Sequence, residues 1–248
     1  MKIIGTYNIK GGVGKTATAV NLACLAAMEG YKTLLWDLDP QGAASFYYRI
    51  KPKIKGGGKK LVAKRNLDKV VKGTDIPGLD LIPSDFSYRN MDVQFSEYKK
   101  PARQLLRLLR PLSEEYHLLF IDCPPNITLV SENVFYASDA LVVPIIPTPL
   151  SIRTHEQLTK HLKHGPMRNL NLMPFFSMVD RRKKLHKDII ATLPKKYPNF
   201  MQSMIPYASQ VELMGVHRKP LFSYADWTPA AQAYRGLWKE LKIAISQL

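Results

Sequence analysis

Cysteine is almost absent from this chain: Cys24 and Cys123 are the only two in 248 residues, and each lies inside an apolar run. Two isolated thiols build neither a disulfide framework nor a metal knuckle, so they read as buried thiols of a reducing compartment. No leader peptide precedes the first strand, and no apolar run approaches the roughly 20 residues of a bilayer-spanning helix. A cytoplasmic protein is expected. Acidic residues are scarce as well, 20 against 36 Lys and Arg, for a net charge of +16. That imbalance points to a polyanionic partner, either nucleic acid or an anionic membrane face, with nucleic acid weighed ahead of plain solubility through surface lysines because the charge is clustered.

Apolar residues, by contrast, make up 46% of the chain, enough for the core of one α/β domain spanning 1–248. The densest signal is Lys10-Gly11-Gly12-Val13-Gly14-Lys15-Thr16. An apolar run, Ile3 to Tyr7, precedes it; a helical pattern, Ala17 to Glu29, follows it and is capped by Gly30. Strand, glycine-rich turn and helix start, in that order, make a phosphate cradle. The glycines let consecutive N–H groups point at one anion, and the helix N-terminus adds positive potential. Lys15 would then reach the β- and γ-phosphates and the Thr16 hydroxyl a Mg²⁺ position. An ordinary G-x-x-x-x-G-K-[ST] loop carries glycine at position 9. Here that residue is Ile9, and a second lysine, Lys10, stands at the front of the loop.

Two further apolar runs end in acids. Thr33 to Trp36 leads into Asp37-Leu38-Asp39-Pro40-Gln41-Gly42, and His117 to Ile121 into Asp122-Cys123-Pro124-Pro125. Acids at the carboxyl ends of parallel strands lie where open α/β sheets keep their chemistry; strand-end capping is the plainer alternative for Asp37 and Asp39. More strands are expected at Leu79–Ser84, Ala140–Ile146, Met173–Val179 and Met204–Pro206. Pro101–Tyr116 reads as an amphipathic helix that Pro111 kinks or ends, another helix begins near Ser151, and a last one covers Ala230–Leu241. This alternation predicts an α/β fold with a doubly wound, mostly parallel β-sheet flanked by helices.

The positive charge is clustered. Between Arg49 and Lys72, ten basic residues (Arg49, Lys51, Lys53, Lys55, Lys59, Lys60, Lys64, Arg65, Lys69 and Lys72) face the single acid Asp68. The Gly56-Gly57-Gly58 run inside it argues for a mobile loop rather than a packed element, either plainly solvated or a polyanion-binding arm. Arg181, Arg182, Lys183, Lys184, Lys187, Lys195 and Lys196 form a second cluster.

The loop K-G-G-V-G-K-T resembles the deviant P-loop of the ParA/MinD family of ATPases. D-x-D-P-Q-G is similar to that family's switch I, and D-x-P-P to its Walker B and switch II element. Apart from the basic stretch around 49–72, the resemblance runs from Met1 to Leu248, and without a helix-turn-helix before Met1 it is to the short ParA/Soj-like form. It implies a P-loop NTPase using ATP and Mg²⁺. Nucleotide contacts would come from Lys10, Gly11, Gly12, Val13, Gly14, Lys15, Thr16 and Ala17, with Asp180 and Arg181 near the base. Thr16, Asp37 and Asp122 would hold the metal, and Asp39 would orient the attacking water. Lys10 would reach across an ATP-dependent homodimer, where Gly11 keeps the two loops free to approach. Nonspecific DNA is the implied partner, through the 181–196 cluster, together with a ParB-like or other adaptor that stimulates hydrolysis. The result would be a nucleoid-associated machine that positions a DNA or protein cargo. Relatives carry a small residue where this chain has Asn126, which puts the local switch geometry in question.

Three alternatives stand beside this reading. A MinD-like membrane-associated ATPase would use a terminal amphipathic helix, and Leu237, Trp238, Leu241 and Ile245 do make a stripe; core packing is its simpler explanation. An iron–sulfur reductase would need two cluster cysteines at a dimer seam, which Cys24 and Cys123 do not supply. The third is a nucleotide-gated DNA-binding protein with negligible turnover.

Overall fold

The computed structural model describes residues 1–64, 67–163, 167, 170–197 and 199–248. Among these, eight strands form one sheet: β1 (Lys2–Thr6), β2 (Thr33–Asp37), β3 (Lys72–Gly73), β4 (Leu79–Ile82), β5 (Leu118–Asp122), β6 (Ala140–Ile145), β7 (Asn171–Val179) and β8 (Met204–Pro206). Their order is β3-β4-β2-β5-β1-β6-β7-β8. Every pairing is parallel except that of the two-residue β3 with β4. Around the sheet run α1 (Lys15–Met28), α2 (Ala43–Tyr47), α3 (Gly57–Lys64), α4 (Met91–Ser96), α5 (Gln104–Leu109), α6 (Leu129–Ala137), α7 (Pro149–Leu162), α8 (Lys184–Thr192), α9 (Ser209–Glu212), α10 (Met214–His217) and α11 (Pro229–Ser246).

Both faces of the sheet are covered, which is why its strands read as continuous apolar runs rather than alternating ones. Leu119 and Ile121 of β5 enter one core, with Trp36, Phe95, Leu105 and Phe135; Leu118 and Phe120 enter the other, with α1 and α11. The strand order turns back beside β1, which sits between β5 and β6. Open α/β sheets bind ligands at such a reversal, outside the carboxyl ends of the strands. Cys24 and Cys123 are both free and buried.

Two expectations need correction. Pro101–Tyr116 is not one continuous α-helix: it opens as a 3₁₀ turn (Pro101–Arg103) before α5, and, as expected, it ends at Pro111, in a second 3₁₀ turn (Arg110–Leu112), where the missing N–H and the ring break the helical ladder. The second correction is larger. The described residues of 49–72 are not a mobile loop, because α3 and the 3₁₀ turn Leu67–Val70 pack onto the protein, burying Ile54, Leu61, Val62 and Leu67 with Tyr88, Met91 and Phe95. Gly56 (φ 92°) and Gly57 (φ 64°) take the left-handed backbone of a fixed turn, and Gly58 serves close approach. Gly58 donates to Ser87 Oγ at 2.7 Å, and a Cβ built there would stand 3.2 Å from the Tyr88 ring. Arg65 of the same basic run lies outside the described residues.

Candidate functional site

The loop between β1 and α1 hangs from its neighbours by side-chain and backbone bonds. Asn8 Nδ2 donates to the Pro144 carbonyl at 2.8 Å, while Asn8 Oδ1 accepts the Lys10 N–H at 2.9 Å. Val13 is buried under the loop, and Gly11 and Gly12 are exposed at its crest. Gly12 (φ 69°) and Gly14 (φ 94°) have the left-handed backbone that favours glycine. A Cβ on Gly14 would also stand 3.0 Å from Ser177 Oγ on β7, so this strand closes one side of the cradle. Gly11 differs: a Cβ there meets nothing within 4 Å, and nothing within the described chain demands glycine.

Lys15, the first residue of α1, is only 7% exposed, and its Nζ donates to the Lys10 carbonyl at 3.0 Å. Burial lowers its pKa, while Asp122, Cys123 and Asp39 pull it back up. Thr16 and Ala17 follow on the first turn, both partly exposed.

Beside them the sheet register sets Asp37 of β2 directly against Asp122 of β5, and Asp122 against Thr6 of β1. Both acids are fully buried. Asp37 Oδ2 accepts from the Ser45 N–H (2.7 Å) and Oγ (2.6 Å). Its Oδ1 and both Asp122 carboxylate oxygens have no hydrogen-bond partner among the described residues. Burial drives the Asp37 pKa up to about 7 against the Ser45 bonds, and burial together with the Asp37 charge drives Asp122 well up. Orphaned buried carboxylate oxygens are rare and call for a ligand.

These residues fit a hydrated Mg²⁺. They offer hard oxygen donors only, and among the described residues no group of three or more His, Cys, Asp and Glu side chains is placed to cage a metal alone. Mg²⁺ keeps most of its waters and is typically held by one or two carboxylates plus substrate phosphates.

Asp39 lies two residues past the end of β2 and is partly exposed. Its Oδ1 accepts the Gln41 N–H at 2.9 Å, and its carbonyl accepts from Gly42 N–H and Ser84 Oγ. Asn126 resolves the departure noted in the sequence. Its φ is 75°, and asparagine is among the few residues that enter the left-handed region at modest cost. Its N–H reaches the Ile9 carbonyl at 3.2 Å and its carbonyl accepts the Tyr7 hydroxyl at 2.8 Å, tying the segment after Asp122 to the phosphate loop.

The residues beyond β7 are arranged less tightly. The Asp180 carboxylate is gripped by Arg182, Nε and Nη2 each at 3.0 Å, which holds its pKa down to about 2. Arg181 lines a cavity of about 500 Å³ with Val179, Met204, Pro206, Pro229 and Ala233. Arg181, Arg182, Lys183, Lys184, Lys187, Lys195 and Lys196 are all exposed, and only Arg182 of these forms an ion pair among the described residues. Sequence reasoning missed Tyr7, Asn8, Ser45 and Ser84, whose roles depend on partners that no local motif announces; only Asn8, two residues before Lys10, adjoined a quoted motif.

A family model described as AAA domain matches residues 1–172. Soj of Bacillus subtilis, a sporulation initiation inhibitor protein, is 30% identical over 97% of this chain and 98% of its own length. The chromosome partitioning protein ParA of Myxococcus xanthus is 28% identical, over 97% of this chain and 87% of its length. Among solved structures, an ATP complex of Cyanothece McdA superposes with a TM-score of 0.83 at 21% identity, covering 98% of this chain and 96% of that one.

Proposed function

The chain belongs to the AAA-domain family that includes the ParA/Soj-like partition ATPases, and from that premise we propose that it is a Mg²⁺-dependent ATPase. In this reading it forms an ATP-sandwich homodimer, binds DNA without sequence preference and positions a DNA or protein cargo. A ParB-like or other adaptor stimulates hydrolysis and resets the cycle.

One observation carries the reading. Lys15 and the Asp37–Asp122 pair are buried together at the mouth of a glycine loop, with three carboxylate oxygens unsatisfied. Burial of this kind costs several kcal/mol unless a ligand completes it. The loop N–H groups and Lys15 Nζ, released from the Lys10 carbonyl, cradle the β- and γ-phosphates. Thr16 and Asp122 would hold a Mg²⁺ ion with Asp37 in support, and the ion would supply positive charge against that developing on the phosphate. Asp39, braced at the head of its turn, orients the attacking water. Lys10 adds positive charge to the partner subunit's phosphates, and the open space at Gly11 leaves room for that loop. Asp180 and Arg181 border the base. The exposed 181–196 cluster contacts DNA phosphates, which localises the protein to the nucleoid in the cytoplasm.

The membrane-bound alternative has less support. Leu237, Trp238, Leu241 and Ile245 of α11 are buried in the core, so the stripe is already used. No helix of the described residues is long and apolar enough to cross a membrane.

Steady-state ATP turnover with and without DNA tests the proposal. Wild type should turn over with Mg²⁺, and Lys15→Ala should lose ATP binding or turnover by at least about a hundredfold, the usual loss for a phosphate-clamping charge. Unchanged binding and hydrolysis in that variant would sink the assignment.

A further inference from the structure

Four of the lysines in 49–72 converge. Lys55, Lys60, Lys64 and Lys69 line one cavity of about 250 Å³ whose apolar walls are Ile54, Leu61 and Val70. No acid lines it, and none of the four lysines makes an ion pair among the described residues. Lys60 and Lys64 stand one helical turn apart on α3, a like-charge spacing that destabilises a helix unless an anion lies between. The walls are fixed, because Ile54 and Leu61 are buried in the core. The space holds about eight waters, the size of a few linked phosphate groups. A concave nest of this kind suits a compact anion, whereas a duplex backbone is better matched by the open 181–196 surface.

The cavity is also wired to the candidate nucleotide site. Asp85 Oδ2 accepts the Ile54 N–H at 2.9 Å, and Asp85 Oδ1 accepts Ser87 Oγ at 2.6 Å, the same hydroxyl that accepts the Gly58 N–H. The preceding residue, Ser84, donates its Oγ to the Asp39 carbonyl and its N–H to Ser45 Oγ, which in turn donates to Asp37. One hydrogen-bonded strap therefore joins the cavity wall to the turn that carries Asp39.

We propose that this lysine-lined cavity is a second anion site, for a compact polyphosphate, and that its occupancy is coupled to the Asp39 turn through Asp85 and Ser84. The site stands independently of the ATPase reading; the coupling rests on it.

Tripolyphosphate is the probe, titrated calorimetrically into the full chain carrying Lys15→Ala so that the phosphate loop contributes little. Saturable one-site binding is expected. Adding Lys60→Ala and Lys64→Ala should weaken it at least about tenfold, since each removes a charge-assisted contact, and the Lys60→Arg/Lys64→Arg pair should retain it. Absence of saturable binding, or binding indifferent to Lys60 and Lys64, would overturn the site even if ATP binding by wild type is intact. A short DNA duplex that depends on these lysines while tripolyphosphate is ignored would overturn it in favour of a nucleic-acid groove. For the coupling, tripolyphosphate should shift wild-type turnover at saturating ATP by about twofold or more. The shift should vanish in Lys60→Ala/Lys64→Ala and shrink in Ser84→Ala. A shift that survives in the lysine variant comes from the phosphate loop and overturns the coupling.

Discussion

Around the phosphate loop charge is buried and held in place; along 49–72 and 181–196 it is exposed and abundant. Lys15 is enclosed, bonded through Nζ to the Lys10 carbonyl and set near the buried Asp122 at the end of β5. Lys183 and Lys184 stand in solvent at the entry to α8, without an acid partner among the described residues. The same side chain therefore does two kinds of work. A buried charge acts through geometry and tolerates no substitution, whereas exposed charges act through their number and sum over distance. Lys10 lies between these extremes, half-buried at the front of the loop, and in the proposed dimer it would become enclosed against the second copy.

The sharpest way to break the comparison is therefore Lys10→Ala. If Lys10 meets the partner's phosphates in a dry seam, its charge is worth several times its value in water. ATP affinity of the monomer should stay within about threefold of wild type, but ATP-dependent dimerisation and DNA-stimulated turnover should fall by at least about a hundredfold. Light scattering with a slowly hydrolysed ATP analogue reads the first, and a phosphate-release assay the second. A normal dimer with normal turnover would leave Lys10 as a loop residue only.

A smaller effect belongs to the exposed cluster. Lys183→Glu with Lys184→Glu should weaken ATP-dependent DNA binding about tenfold to a hundredfold and flatten its salt dependence. The wild-type affinity should fall roughly 10³-fold or more between low and moderate salt as counterions are released. Salt-insensitive binding would mean that the charge excess is not what holds DNA. Charge substitution is the right instrument in 49–72 as well, because deleting Lys51 to Lys64 would also remove the buried Ile54, Leu61 and Val62 and destabilise the core.

Next comes the cost of the buried acids in the empty protein. Asp122→Asn removes one charge of a pair that has unsatisfied oxygens and sits one strand away from its like-charged neighbour. It should raise the melting temperature of the nucleotide-free chain by a few degrees, from about 1 kcal/mol of relieved burial cost and repulsion. Mg²⁺-ATP should stabilise this variant less than wild type. A melting point lowered in both states would show that Asp122 is structural.

Much of this was legible in advance because it is local. The glycine loop, the strand-end acids and the apolar runs each announce themselves within a dozen residues, and their alternation with helical patterns announces the parallel, doubly wound sheet. What was not legible is non-local or depends on close approach. Ser45 meets Asp37 across 8 residues and Ser84 meets Asp39 across 45, and nothing in either serine's neighbourhood signals it. The Gly56–Gly58 run was misjudged because composition cannot tell a mobile glycine from one fixed in a turn: Gly56 and Gly57 hold positive φ, and Ser87 and Tyr88, far along the chain, pack where Gly57 and Gly58 lack side chains. Asn126, a departure from the family's small residue, holds a left-handed backbone (φ 75°) that asparagine adopts at modest cost, a conformation no local motif announces.

His155 tests whether burial alone marks a site. It lies on α7, is buried, packs edge-on against Tyr197 at 4.6 Å between ring centres, and has no hydrogen-bond partner for either ring nitrogen among the described residues. Burial lowers its pKa to about 4 from the ordinary 6.5. The folded protein thus holds His155 neutral at every pH where the unfolded chain keeps it neutral, and also in the window below that, where the unfolded chain takes a proton. Stability from this group is complete above about pH 6.5 and declines as pH falls towards about 4, by about 3 kcal/mol across the window. At pH 5 the loss should be about 2 kcal/mol, or roughly 4–8 °C in melting temperature. His155→Leu, similar in volume and without ionisable nitrogens, should flatten that part of the pH profile and leave ATP turnover at pH 7.5 unchanged. If the slope between pH 7 and pH 5 is the same in both proteins, the acid sensitivity comes from carboxylates instead. If turnover falls with folding intact, His155 belongs with Lys15 and the two aspartates, as a buried group that the active state uses.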